Sequence, residues 1–162
     1  MRVYFLRHGA AEEAASGQSD ADRRLTKKGT KQMKVVAAGM DRIGVRPDVI
    51  LTSPLARARE TAEIAAAALG LTDRMHEAPE LACGCTLSGL SRLLAKHGNP
   101  ESVMVVGHEP DFSTMVGQFT GGGAVDMKKA GLALVEAEGI APGRGCLLWL
   151  LTPTHLEAAA GK

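Results

Sequence analysis

Residues 2–9, Arg-Val-Tyr-Phe-Leu-Arg-His-Gly, decide the fold class. Val3–Leu6 is a short apolar run rich in β-branched and aromatic side chains, the signature of a buried strand. It stops at Arg7-His8-Gly9, so a charged, titratable pair sits where the strand ends. The same pattern recurs along the chain. Asp48–Leu51 and Ser102–Val106 are further short apolar runs, and Met75–Glu77 reads as a short edge strand. Between them lie helix signals. Thr26 is placed to cap a helix reaching about Arg42, with Met33, Val36, Ala37 and Met40 on one face and Gly44 ending it. Ser53-Pro54 is expected to open a second helix over Leu55–Leu69, with Ser as cap and Pro in the first turn. Leu87–Lys96 and Pro110–Phe119 read as two more helices, and Ala10–Arg24 as a loop. Gly131–Ala137 and Cys146–Leu151 are expected to form an antiparallel hairpin. Strands alternating with helices imply a three-layer α/β/α sandwich: a mostly parallel central sheet, covered on both faces, with an antiparallel C-terminal hairpin.

Composition narrows the function. The 162 residues carry a formal charge of +1, 45% apolar and only 3% aromatic side chains. The length suits one domain spanning 1–162. Balanced charge and scarce aromatics argue against nucleic-acid binding. No apolar run approaches the roughly 20 residues that cross a bilayer, and the N-terminus lacks a signal-peptide core, so a cytoplasmic location is expected. Cys83, Cys85 and Cys146 give no disulfide framework; Cys83 and Cys85 are expected to be small, semi-buried thiols. His76, His97 and His155 show no ligand spacing and read as surface residues.

In parallel sheets, ligands bind beyond the carboxyl ends of the strands. Three such ends carry the informative residues: Arg7-His8-Gly9, Thr52-Ser53-Pro54 with Arg57 just beyond, and Gly107-His108-Glu109-Pro110. Two guanidiniums and two imidazoles converging on one crevice suit a tetrahedral oxyanion such as phosphate. A neutral imidazole is also a nucleophile toward phosphorus. Phosphate-loop, dinucleotide-fingerprint and Gly-x-Ser-x-Gly motifs are absent from the sequence. A two-histidine metal site at His8 and His108 has no carboxylate in matching positions, so no metal or cofactor is expected.

These residues resemble a known family. Leu6-Arg7-His8-Gly9, Ser53-Pro54-Leu55-Ala56-Arg57-Ala58-Arg59-Glu60-Thr61-Ala62 and Val106-Gly107-His108-Glu109-Pro110 are similar, in order, to the motifs of the histidine phosphatase (phosphoglycerate mutase-like) superfamily. Asp20–Gly29, Ala78-Pro79-Glu80-Leu81, Met127–Gly131 and Leu148–Pro153 resemble the small SixA-type phosphohistidine phosphatases. The short interval between Arg57 and Gly107 leaves little room for the cap insertion of larger members. The resemblance implies a phosphoglycerate mutase-like fold, His8 as nucleophile, and Arg7, Arg57 and His108 as phosphate ligands, with Gly9 beside them. It implies a glutamate general acid, for which Glu80 is the nearest candidate. Asp20 and Arg23, on the Ala10–Arg24 loop, are expected at the rim as substrate contacts. The implied partner is a protein bearing phosphohistidine, such as a histidine-containing phosphotransfer domain. The alternatives are a broad small-molecule phosphomonoesterase and a phosphoprotein-binding module without turnover.

Overall fold

The computed structural model describes residues 1–14, 16–17 and 19–162; Ala15 and Gln18, inside the expected Ala10–Arg24 loop, lie outside the described residues. Six strands among them, β1 (Arg2–Arg7), β2 (Val49–Thr52), β3 (Met75–Glu77), β4 (Ser102–Gly107), β5 (Leu132–Ala137) and β6 (Gly145–Leu151), form one sheet in the order β3-β2-β4-β1-β5-β6. β1, β2, β3 and β4 pair in parallel. β5 runs antiparallel to both β1 and β6, so it alone is reversed.

Alternation along each strand divides the core. Val3 and Phe5 of β1, Val103 and Val105 of β4, and Ala133 and Val135 of β5 face one side. There they meet α3 (Leu87–Lys96) and α4 (Asp111–Phe119) through Leu90, Leu93, Phe112 and Phe119. Tyr4, Leu6, Ile50, Met104, Val106 and Leu134 face the other. There they meet α1 (Lys27–Arg42) and α2 (Ala56–Leu69) through Met33, Val36, Met40, Ala58 and Ala62. The central strands β1, β2 and β4, buried on both faces, have no polar alternation to spare, which is why they read as unbroken apolar runs.

A fifth helix, α5 (Pro153–Ala159), was not legible in that pattern. It buries only Leu156, too little for a periodic signal. Its start follows local rules: Thr152 and the His155 side chain form a reciprocal cap, with Pro153 in the first turn. His155, expected as a plain surface residue, thus fixes a helix end.

α5 lies so close to α1 that a Cβ on Gly39 would stand 2.0 Å from the Leu156 carbonyl oxygen. Mid-helix Gly→Ala ordinarily stabilises by about 0.5–1 kcal/mol. Here the sign reverses, because backbone must move. Gly39→Ala is expected to cost about 2–3 kcal/mol and lower Tm by roughly 5–10 °C in a thermal melt. An unchanged or raised Tm would contradict this packing.

Candidate active site

β1 and β4 are neighbours, yet the chain leaves their carboxyl ends toward opposite faces, into α1 and α4 respectively. That divergence opens a crevice at their ends. Arg7 pairs with Gly107 at the last register position, and the His8 backbone N–H donates to the Gly107 carbonyl at 3.1 Å. His8 and His108 therefore stand side by side, ring centroids 5.2 Å apart.

Each side chain is held by a bond that dictates its chemistry. His8 Nδ1 lies 2.7 Å from the Gly9 carbonyl oxygen. A carbonyl only accepts, so Nδ1 carries the hydrogen and Nε2 of the neutral ring keeps its lone pair. Gly9 is anchored in turn: its N–H donates to Thr61 Oγ1 at 3.1 Å, and that hydroxyl donates to the Arg57 carbonyl. Thr61, on α2, thereby ties the strand-end loop to the helix that carries Arg57.

Arg57 is 5% exposed. It donates from Nη1 to the Asp20 carbonyl at 2.8 Å and from Nη2 to Asp20 Oδ2 at 3.0 Å. Asp20, in a single 3-10 turn over Asp20–Asp22, also accepts from Arg23 Nη1 at 2.8 Å. The two guanidiniums, Arg23 first, hold its carboxyl below the usual range. Arg7 donates from Nη1 to the Met127 carbonyl at 2.6 Å, while its Nε is buried without a hydrogen-bond partner among the described residues.

Ser53 departs from the sequence expectation. It was expected to cap α2, but that helix starts at Ala56 behind Leu55. Buried Ser53 Oγ instead lies 2.7 Å from His108 Nε2 and accepts the Leu55 N–H at 3.3 Å. Likewise Pro110 precedes α4 rather than opening it. His108 Nδ1 is buried with no hydrogen-bond partner among the described residues.

Burial is the leading electrostatic influence on both imidazoles. It pushes His8 down to about 3, aided by His108, Arg57 and Arg7 and opposed by the Gly9 bond. It pushes His108 down to about 4, with Arg57 next. Both rings are thus neutral near pH 7. An unfolded imidazole titrates near 6.5, so below that pH the unfolded chain binds more protons than the folded one. Stability is complete above pH 6.5 and falls as pH drops toward 4. The slope is about 1.4 kcal/mol per pH unit for each fully linked histidine. The urea midpoint is expected to fall between pH 7 and 5, and less steeply in His8→Gln. An equal slope in both proteins would contradict the assignment.

The structure thus brings together Arg7, His8, Gly9, Arg57, His108 and, through Arg57, Asp20 and Arg23. Glu80 is engaged elsewhere: its carboxylate accepts from Lys96 Nζ of α3 at 2.5 Å, which holds it below the usual range. Cys85 is buried, its thiol pushed up to about 11 by burial, whereas Cys83 is exposed rather than semi-buried.

A family model described as the histidine phosphatase superfamily (branch 1) matches residues 3–82, which include the His8 and Arg57 motifs. An uncharacterised protein of Picosynechococcus sp. is 40% identical over 139 residues, 82% of each chain. The solved protein histidine phosphatase SixA, complexed with tungstate, superposes with a TM-score of 0.84 at 27% identity, covering 96% of this chain and 99% of that one. SixA from Agrobacterium tumefaciens gives 0.78 at 28% identity, covering 94% and 97%. The chain belongs to the histidine phosphatase superfamily. It is a phosphatase with the phosphoglycerate mutase-like fold, of the SixA type. In this phosphatase no helix among the described residues is long and apolar enough to cross a membrane.

Proposed function

We propose that residues 1–162 act as one catalytic domain that removes the phosphoryl group from phosphohistidine on a protein. The observation that carries this reading is the bond from His8 Nδ1–H to the Gly9 carbonyl, which leaves Nε2 as a neutral nucleophile among Arg7, Arg57 and His108. In the first step His8 Nε2 attacks phosphorus. The substrate P–N bond breaks, and its imidazole leaves with the electron pair and takes a proton from solvent water. Arg7 Nε and His108 Nδ1, buried and unpartnered among the described residues, would satisfy phosphoryl oxygens, as Arg57 would once Asp20 yields. In the second step water attacks phosphorus, the P–Nε2 bond breaks with its electron pair returning to neutral His8, and phosphate leaves with the protons of the water. The tungstate in the related SixA structure supports an oxyanion at this place.

Two features favour phosphohistidine over a phosphoester. An ester expels an alkoxide, which needs a fixed acid. Glu80, the acid candidate from sequence, is bonded instead to Lys96, which lowers its carboxyl below the usual range, the wrong direction for a general acid. An imidazole leaving group protonates readily without one. Second, only the short strand β3, two 3-10 turns and α3 lie between α2 and β4. With so little chain to roof it, the crevice would admit a side chain on a folded protein. Asp20 and Arg23 would then touch the partner at the rim. A cytoplasmic location fits this reading, and the reaction assigns no role to a metal or cofactor.

The test is a substrate panel. kcat/KM is expected to be highest on phosphohistidine, free or protein-borne, and at least about 100-fold lower on sugar phosphates and phosphoserine. Faster turnover of the esters would overturn the reading in favour of a small-molecule phosphomonoesterase. Binding of phosphohistidine protein without release of phosphate would leave only a binding module.

A further inference from the structure

α1 carries a row of lysines that the fold does not explain. Lys27, Lys31 and Lys34 recur at the spacing that lines one face of a helix, and Lys28 flanks them. Lys28, Lys31 and Lys34 are exposed, as is Lys27, and none forms an ion pair among the described residues. Their placing opposes stability. The first turn of α1 has no acidic residue, although a helix N-terminus favours negative charge. The lysines also repel one another at these spacings.

The row starts at the end of α1 that adjoins the strand-end loop, on the solvent face opposite buried Gly29, Met33 and Val36. Thr26, which caps α1, lies against the Ala10 carbonyl, and a Cβ on Gly29 would stand 2.1 Å from the same oxygen. Ala10 is two residues from His8. From there the row runs about 10 Å along the helix, at 1.5 Å per residue. It ends at a groove of about 380 Å³ between α1 and α2, lined by Lys34, Glu63, Ile64, Ala67 and Ala68. A chain whose net charge is only +1 therefore concentrates on one helix face four lysines that form no ion pair among the described residues.

We infer that the exposed face of α1 is the docking surface for an acidic segment of the phosphoprotein, engaged while its phosphohistidine occupies the crevice. The inference rests on the substrate reading above. Charge complementarity of this kind acts chiefly on encounter and KM, leaving the chemical step unchanged.

The test uses free phosphohistidine and two phosphohistidine peptides identical except that one carries four Glu, and the other four Gln, within reach of α1. At low ionic strength the wild type is expected to prefer the Glu peptide by about 10-fold in kcat/KM, with equal kcat. The preference should fade with added salt and vanish in Lys27→Glu/Lys31→Glu/Lys34→Glu, which should still turn over free phosphohistidine at the wild-type rate. The milder triple Lys→Gln variant should be intermediate; a thermal melt establishes that each is folded. Equal rates on the two peptides, or a preference that survives in the variants, would overturn the docking surface alone. Binding of the lysine face to duplex DNA or anionic vesicles without peptide preference would overturn it too. Failure to hydrolyse any phosphohistidine substrate, with phosphoesters turned over, would instead sink the substrate reading and the docking surface with it.

Discussion

Replacing His8 with Ala is expected to lower kcat for phosphohistidine hydrolysis by about 10⁴-fold or more, the scale of losing a covalent nucleophile. Every bond around the ring serves its nucleophilicity. The Gly9 carbonyl selects the tautomer that exposes Nε2. Burial, with the neighbouring cations, keeps the ring unprotonated at working pH. The Thr61 hydroxyl holds Gly9, and so the loop, in place. His8→Ala leaves the Gly9 carbonyl without this donor but removes a group that resists protonation. The variant should therefore fold, with reduced acid sensitivity, and still bind phosphate through Arg7 and Arg57. Rapid-quench kinetics on the folded variant check this. Residual turnover within about 10-fold of the wild type would exclude His8 as nucleophile.

Arg57→Ala is expected to lower kcat/KM by about 10³-fold, an effect carried by charge and geometry together. The guanidinium is almost fully buried, so its charge acts in a poorly screened setting. It already forks onto Asp20 through two nitrogens, the geometry that a phosphoryl group would use. Removing it both deletes two donors and leaves the Asp20 carboxylate neutralised by Arg23 alone, so that Asp20 Oδ2 would repel the incoming anion. Arg57→Lys is expected to recover little, because an ammonium cannot reproduce the planar fork. Asp20→Asn should be milder, within about 10-fold, since it removes a competitor for Arg57 as well as a positioning contact. Steady-state kinetics on the three variants separate these effects. A Lys variant as active as the wild type would show that charge alone suffices.

The central sheet was legible because its strands are buried on both faces. Val3–Leu6 and Ser102–Val106 leave no other reading, and the residues closing them, Arg7-His8 and Gly107-His108, fall at the crevice as the parallel topology requires. What escaped was whatever depends on one side chain reaching across the fold. Ser53 has the right identity for a helix cap, but its hydroxyl is turned to His108, 55 residues away. Thr61 falls within the second motif, but its role shows only in its bond to Gly9. Asp20 is recognisable as a loop residue, yet nothing local reveals that it faces Arg57 across 37 positions. The lysine row on α1 is plain in the sequence; that Thr26, one residue before it, bonds to the Ala10 carbonyl is not.

A covalent phosphohistidine at His8 is the step that distinguishes this mechanism, and trapping it is the most direct measurement. Enzyme mixed with radiolabelled phosphohistidine substrate, quenched in alkali on the millisecond scale and digested, is expected to give label that is acid-labile and alkali-stable. That label should map to the peptide containing Arg7-His8. Label on any other residue, or turnover with no label at any quench time, would contradict it.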